Sequence, residues 1–159
     1  MTTDDFLSKL EEPSGKVELQ SSVLSPGART LRYALLGGLK SVLPKGTVID
    51  GIELQRIDAD WQGETEWVML LDSCVVHLRL DTIERPRRYR LRCRIHPLST
   101  LLSVDTETEH QEEMQLVQVR QAKITLTFTK DLISATCESP DQNAALLSFA
   151  NRVLAIRGR

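Results

Sequence analysis

The hydrophobic period of this sequence changes twice, and these two changes constrain the fold more than any other feature. From residue 46 onward apolar side chains recur at every second position, as at Val76 and Leu78, which predicts half-buried strands. A helical period returns after Ser139, where a serine N-cap and Pro140 at the first helical position begin a new element. The sequence therefore predicts about seven strands followed by one helix.

The C-terminal helix is the most strongly marked element. Gln142 stands three residues after Ser139, at capping-box spacing, and Arg157-Gly158 supplies a cation and a stop at the other end. We expect the helix to be part of the core. Its predicted buried stripe consists of Leu146, Phe149, Ala150, Val153 and Ile156.

Residues 1–44 predict a helix–strand–helix extension. A first helix over residues 3–12 begins at the capping-box pair Thr2 and Asp5, and a short strand follows over Lys16 to Val23. The second helix begins after Ser25 with Pro26. Its apolar stripe consists of Leu31, Leu35, Leu39 and Val42. The central pair Gly37-Gly38 indicates either a weak helix or the close approach of another element.

Within the strand region, three local patterns predict specific features. Five acids in nine residues predict a solvated loop over Asp105 to Glu113. The apolar parity changes between Val119 and Ala122, which requires a bulge near Arg120–Gln121. Lys130-Asp131 predicts a hairpin turn into a final strand.

The order of elements over residues 46–157 resembles the pleckstrin-homology-like superfold, in which a bent seven-stranded barrel is closed by a C-terminal helix. The resemblance implies an α+β fold: a bent antiparallel sheet or partly open barrel of about seven strands, with residues 1–44 as an N-terminal helical extension, in one domain over residues 1–159. Members that bind phosphoinositides carry basic residues around the first strand loop, but that loop here, Asp58 to Glu64, is acidic. Headgroup binding there is not expected. The rival architecture is a helix-grip or cone-shaped α+β fold that encloses a pocket.

Composition narrows the function classes. A formal net charge of -2 gives the chain no general attraction to nucleic acid or anionic membranes. The three cysteines are odd in number and lie in apolar runs, which indicates free thiols and a reducing compartment. The start lacks a charged segment before an apolar stretch, and no run is long enough to span a bilayer. We therefore expect a cytoplasmic protein without integral membrane association.

Catalytic and metal-binding patterns are weak. Cys74-x-x-His77 and Cys93-x-x-His96 have the spacing of ligand pairs, but residues three apart on a strand point to opposite faces. On this reasoning His96 belongs to the surface face of its strand. No nucleophile elbow and no glycine-rich phosphate loop occurs. We predict no enzyme activity, no metal and no cofactor.

The most unusual surface feature is a row of arginines on the clearest predicted strand. Arg88, Arg90, Arg92 and Arg94 alternate with Tyr89, Leu91, Cys93 and Ile95. Four guanidinium groups on one face repel each other unless a negative group lies beside them. That group is either an anionic partner or internal acids such as Asp81, Glu84 or the Asp105–Glu113 segment. Trp61, in the polar turn over Asp58 to Gly63, is either an exposed interface anchor or packs over one end of the sheet.

The leading hypothesis from these features is a non-catalytic protein–protein interaction or assembly module. Its candidate partner-binding residues are Arg88, Arg90, Arg92, Arg94 and Trp61. The expected partner is another protein with an acidic surface, and a homo-oligomer is left open. Nucleic acid is not expected, because no aromatic side chains are interleaved on the arginine face for base stacking. The alternative is a carrier or sensor that binds a small apolar or anionic ligand between the sheet and the helix over residues 26–43.

Overall fold

The computed structural model describes residues 1–25, 29–56, 64–83 and 88–158 of the 159-residue chain. In this part of the chain three α-helices accompany nine strands, so the predicted α+β class is confirmed. The elements are α1 (Thr3–Glu11), β1 (Val17–Glu18), β2 (Val23–Leu24), α2 (Arg29–Val42), β3 (Val48–Arg56), β4 (Glu64–Leu71), β5 (Cys74–Ile83), β6 (Arg88–Pro97), β7 (Leu101–Glu113), β8 (Leu116–Phe128), β9 (Leu132–Cys137) and α3 (Pro140–Arg157).

The strands form three antiparallel sheets, and none of them closes into a barrel. Their orders are β1-β2, β3-β4-β5-β6 and β7-β8-β9. Seven described strands do follow residue 46, but they lie in a four-stranded and a three-stranded sheet, not in one continuous sheet or barrel. Antiparallel sheets with a C-terminal helix fit a pleckstrin-homology-like arrangement in its coarse form. The chain divides into two compact units, Met1–Ile95 and His96–Arg159.

In the first unit, the N-terminal helices form part of a hydrophobic core. Phe6 and Leu10 of α1 are buried in one cluster with Leu35 and Leu39 of α2 and with the apolar face of β4 and β5. The capping box of α1 is present, since the Thr2 hydroxyl accepts from the Asp5 backbone N–H at 3.1 Å. The first 44 residues thus help to build the core of this unit.

Two details of the extension differ from the prediction. The single strand predicted over Lys16 to Val23 is a two-stranded ribbon, β1 and β2, in which Glu18 pairs with Val23. Val42 lies outside the buried stripe of α2 and is exposed, whereas Leu36 is buried. Val17 and Leu24 pair across this ribbon, and both are buried in the core of the unit.

The glycine pair of α2 marks a close approach at one of its two positions. A Cβ built at Gly38 would overlap Leu91 Cδ2 of β6, whereas a Cβ at Gly37 would have no neighbour within 4 Å. The second of the two predicted alternatives is therefore correct for Gly38. The exposed Gly37 carries only the entropic cost of glycine in a helix.

This contrast predicts opposite outcomes for two alanine substitutions. Gly37→Ala should raise the free energy of unfolding by about 0.5–1 kcal/mol, because alanine lowers the entropy lost on forming the helix. Gly38→Ala gains the same helix propensity but must displace Leu91, so we expect no gain or a net loss. Urea denaturation of both variants measures the difference. Equal stabilisation by the two alanines would show that Leu91 does not restrict this position.

In the second unit, the acidic segment is a strand and not the predicted loop. Asp105–Glu113 is the outer half of β7, which pairs along its length with β8 in a hairpin closed by Met114 and Gln115. The prediction of solvation holds, since every residue from 105 to 118 is exposed. The predicted bulge is confirmed: the register shifts where Glu109 and His110 face Gln121 and Val119, so Arg120 is the extra residue.

The C-terminal helix α3 packs on this three-stranded sheet and is part of the core, as predicted. Its N-cap Ser139 accepts from the Gln142 backbone N–H, and Phe149 and Val153 on its inner face are fully buried. Ile156, the last residue of the predicted stripe, is only half-buried. None of the described helices combines the length and apolar character that a membrane span requires.

Candidate functional site

The predicted arginine strand exists as β6, at one edge of the four-stranded sheet. Arg88, Arg90, Arg92 and Arg94 are all exposed, and the residues between them, Tyr89, Leu91 and Cys93, are half-buried against the core of the first unit. The alternation of a strand with one buried face thus places the four guanidinium groups on the solvent side. Trp61, the turn over Asp58 to Gly63, and Glu84, one of the predicted internal partners, lie outside the described residues.

One arginine of the row is paired inside the protein. Arg92 Nη2 donates to Asp81 Oδ2 at 2.6 Å, and Arg79 Nε donates to Asp81 Oδ1 at 2.8 Å. Burial opposes ionisation of this carboxyl, but the hydrogen bonds and charges of the two arginines outweigh burial and lower the pKa of Asp81. Asp81, one of the predicted internal partners, therefore neutralises part of the row.

The other arginines differ in their surroundings. Arg94 takes part in an interaction within the chain. Among the described residues, neither Arg88 nor Arg90 is joined to a carboxylate by an ion pair. Within the described part of the chain, Arg88 and Arg90 are therefore the arginines of the row without an ion pair, while Arg92 belongs to a polar cluster of the sheet.

That polar cluster continues across the sheet through a contact between a histidine and a glutamate, which the sequence did not predict. His77 Nε2 lies 2.7 Å from Glu66 Oε1 on the neighbouring strand β4. On β5, His77, Arg79 and Asp81 share one face by alternation, whereas Cys74 belongs to the hydrophobic cluster on the other. The opposite directions expected for Cys74 and His77 are confirmed.

The prediction for the end of β6 is wrong about which side chains are buried. The prediction placed Ile95 in the core and His96 on the surface, but Ile95 is 44% exposed and His96 only 8%. The alternation breaks at Ile95, and the His96 ring stacks on Phe128 with centroids 4.5 Å apart. His96 therefore contributes to the core of the second unit, and the arginine face ends at Arg94.

The structure offers little for metal or thiol chemistry in the part of the chain it describes. No three or more His, Cys, Asp or Glu side chains there come together as a metal site. Cys74, Cys93 and Cys137 are free thiols, and burial raises the pKa of each above its usual range. Raised thiol pKa values lower the thiolate fraction and hence the reactivity of these cysteines at neutral pH.

The Arg92–Asp81 pair predicts that two charge reversals on one strand have different effects. Arg92→Glu places a carboxylate beside the half-buried Asp81, and we expect the free energy of unfolding to fall by about 1 kcal/mol. Arg90→Glu faces solvent without a described partner and should leave the melting temperature within error. Thermal melts of both variants make the comparison. If Arg90→Glu destabilised the protein as much as Arg92→Glu, the whole row would be internally paired.

The pH dependence of the Arg92 contribution follows from the lowered pKa of Asp81. Stability from the ion pair is fully present above the ordinary carboxyl value of 3.8 and is lost as the pH falls through the lower folded value. The stability difference between wild type and Arg92→Gln should therefore be constant near neutral pH and disappear in strong acid. A difference that grew with acidification would contradict this assignment.

Comparison with known proteins gives one similar solved structure. This chain resembles the hSac2 domain from human phosphoinositide phosphatase Sac2 over 81% of each chain, with a TM-score of 0.48 and 13% sequence identity. Similarity at this level carries no argument about function. No protein-family model matches the chain, and no curated protein matches it.

Proposed function

We propose that this chain is a non-catalytic protein-interaction module of pleckstrin-homology-like type, and that it binds an acidic protein surface through Arg88 and Arg90 of β6. The observation that carries the proposal is the pair of neighbouring exposed guanidinium groups on an edge strand, with no ion pair to described residues. Guanidinium forks match carboxylates in bidentate geometry, so such a pair recognises acidic side chains well.

The surroundings of the pair favour a protein partner. Tyr89 and Leu91 are half-buried and pack against the core of the first unit. Arg88 and Arg90 therefore lie on a packed strand, which fixes the spacing between them. Among the described strands β6 has a neighbour on one side, β5, and a sheet edge of this kind can take up a partner strand. Charged side chains on an edge strand also protect against aggregation, so a binding experiment has to distinguish the two roles.

The experiment compares three baits in affinity capture from cells of the source organism. The baits are wild type, Arg88→Glu/Arg90→Glu, and the charge-preserving control Arg88→Lys/Arg90→Lys. We expect wild type to retain a specific protein that salt elutes, since exposed charges are screened beyond about 10 Å at 0.1 M ionic strength. The glutamate variant should lose this protein, and the lysine variant should keep a weakened interaction.

The result that would reject the proposal is equal retention of the same proteins by wild type and the glutamate variant. A thermal melt of each bait confirms that the substitutions leave the fold intact. Retention of a small anionic molecule by wild type, seen in native mass spectrometry, would instead favour the ligand-binding alternative.

A further inference from the structure

Strand β6 has one neighbour among the described strands, β5, and its other side is an edge of the sheet. Hydrogen-bonding directions alternate along a strand, so every second residue of β6 directs its backbone N–H and C=O toward that edge. Among the described loops and turns, no backbone group bonds to the backbone of residues 88–95. A sheet edge of this kind takes up an extended segment through these backbone groups.

The inner neighbour β5 shows what a strand beside the arginine row supplies. Asp81 accepts from Arg92 Nη2 at 2.6 Å, on the arginine face of the sheet. Leu78 and Leu80 point to the opposite face of β5 and are buried in the cluster that includes the two N-terminal helices. At alternate positions, β5 thus presents a carboxylate to the arginines and leucines to the helical face. A strand on the other side of β6 meets the same two environments.

On the arginine face, the outer side of β6 lacks a carboxylate. Arg88 and Arg90 are exposed and form no ion pair within the described part of the chain. Side chains two positions apart on a strand are separated by about 6.6 Å, so carboxylates at every second position of an adjacent strand repeat at the spacing of the arginines. Each carboxylate then lies opposite a guanidinium group, with Cβ atoms about 4.5–5.5 Å apart.

On the helical face, apolar side chains border the same edge. Tyr89, Leu91 and Cys93 pack against the core but are only half-buried. Leu91 lies against Gly38 of α2. Val42, one helical turn after Gly38 on the same stripe, is 40% exposed. Apolar side chains of an added strand would lie next to these groups, and their burial would stabilise the contact.

We propose that the partner of the arginine face is an extended segment that adds to the edge of β6 as a further strand of this sheet. Its aspartates or glutamates stand at every second position, beside Arg88 and Arg90, and apolar residues stand between them on the helical face. The inference rests on the proposed function, because it specifies the kind of acidic protein surface that binds there. A helical partner would use the same charges but leave the backbone groups of the edge unused.

Two synthetic peptides of the same composition test the alternation. Both contain equal numbers of glutamate and valine, with blocked ends and a fluorophore. In the first peptide the two residue types alternate, and in the second they stand in adjacent pairs, so that both faces of an extended strand carry charge. Fluorescence anisotropy should show that wild type binds the alternating peptide about tenfold more tightly than the paired one. Arg88→Glu/Arg90→Glu should lose this binding, and Arg88→Lys/Arg90→Lys should keep part of it.

The outcomes distinguish this inference from the proposed function on which it rests. Equal affinity for the two peptides, abolished by Arg88→Glu/Arg90→Glu, would reject strand addition and support recognition of acidic surfaces in general. Equal binding of the alternating peptide by wild type and the glutamate variant would place the contact elsewhere and overturn the inference. Wild type that binds neither peptide at about 1 mM would also overturn it, while the capture experiment decides the proposed function separately.

N-methylation of the alternating peptide tests the backbone contact. In an extended strand the N–H groups of the glutamates point to one side and those of the valines to the other, so only one set faces β6. We expect methylation of one set to lower the affinity about tenfold or more, because several hydrogen bonds are lost, and methylation of the other set to leave most of it. An equal loss with both sets would show that side chains alone make the contact and would contradict an added strand.

Discussion

Replacing Phe149 with alanine should lower the free energy of unfolding by about 3–5 kcal/mol, the usual cost of removing a fully buried ring. Phe149 has no solvent exposure and lies in the middle of α3, on the side that packs against the three-stranded sheet. The cavity left by the ring cannot collapse easily, because Leu146 and Val153 hold the helix in place one turn to either side. Urea denaturation measures the loss.

Leu154→Ala is the matched control for this prediction. Leu154 lies on the same helix but is 43% exposed, and leucine and alanine have similar helix propensities. We expect a loss of about 1 kcal/mol or less for this variant. A chain that ends at Glu138 removes the whole helix and should not fold. If the truncated chain kept the melting transition of wild type, α3 would not belong to the core.

Trp67→Ala should have an effect of similar size in the first unit, about 3–5 kcal/mol. The indole is fully buried and meets the Phe6 ring edge-on, with centroids 6.4 Å apart. Its Nε1–H donates to Glu53 Oε1 at 3.1 Å. Truncation to alanine therefore removes a large apolar surface and one of the hydrogen bonds of a partly buried carboxylate.

Trp67→Phe separates these two contributions. Burial raises the pKa of Glu53 above its ordinary value of 4.5, against the hydrogen bonds from Trp67 and the Ser25 backbone. Because the pKa of Glu53 is raised in the folded state, this carboxyl contributes most to stability below pH 4.5. That contribution is lost as the pH rises through the pKa of the folded state. Without the indole N–H the pKa rises further, so the deficit of Trp67→Phe should be larger at pH 7 than at pH 4. An equal deficit at both values would show that only the ring volume matters.

Local sequence patterns were sufficient to predict most helices and strands, but not the outer half of the β7–β8 hairpin. The strand β6 and the helix α3 were predicted correctly, because each has one buried face and α3 also has a capping sequence. The acidic half of β7 was predicted as a loop, since it has no buried face and takes its structure from pairing with β8. The turn at Met114 and Gln115 uses positive φ angles of 49° and 66° without glycine, asparagine or aspartate, so no residue type signalled it.

The candidate site was predictable to a similar extent. Alternation placed the four arginines on the solvent face, and Asp81 was among the expected internal partners. The alternation could not show that β6 loses its pattern at Ile95, because His96 is buried through a ring contact with Phe128, which is distant in sequence. Asn143 was missed for the same reason: a buried amide that joins α3 to two backbone groups of β8 has no sequence pattern.

The most direct test of the central proposal is site-specific photo-crosslinking in living cells. A photoreactive phenylalanine derivative replaces Arg88, beside an intact Arg90, and in a control it replaces Tyr33, an exposed residue of α2. We expect the probe at position 88 to give a covalent adduct with a second polypeptide that the probe at position 33 does not form, and the added change Arg90→Glu should abolish it. No adduct at position 88, or the same adducts at both positions, would contradict a partner-binding role for the arginine face.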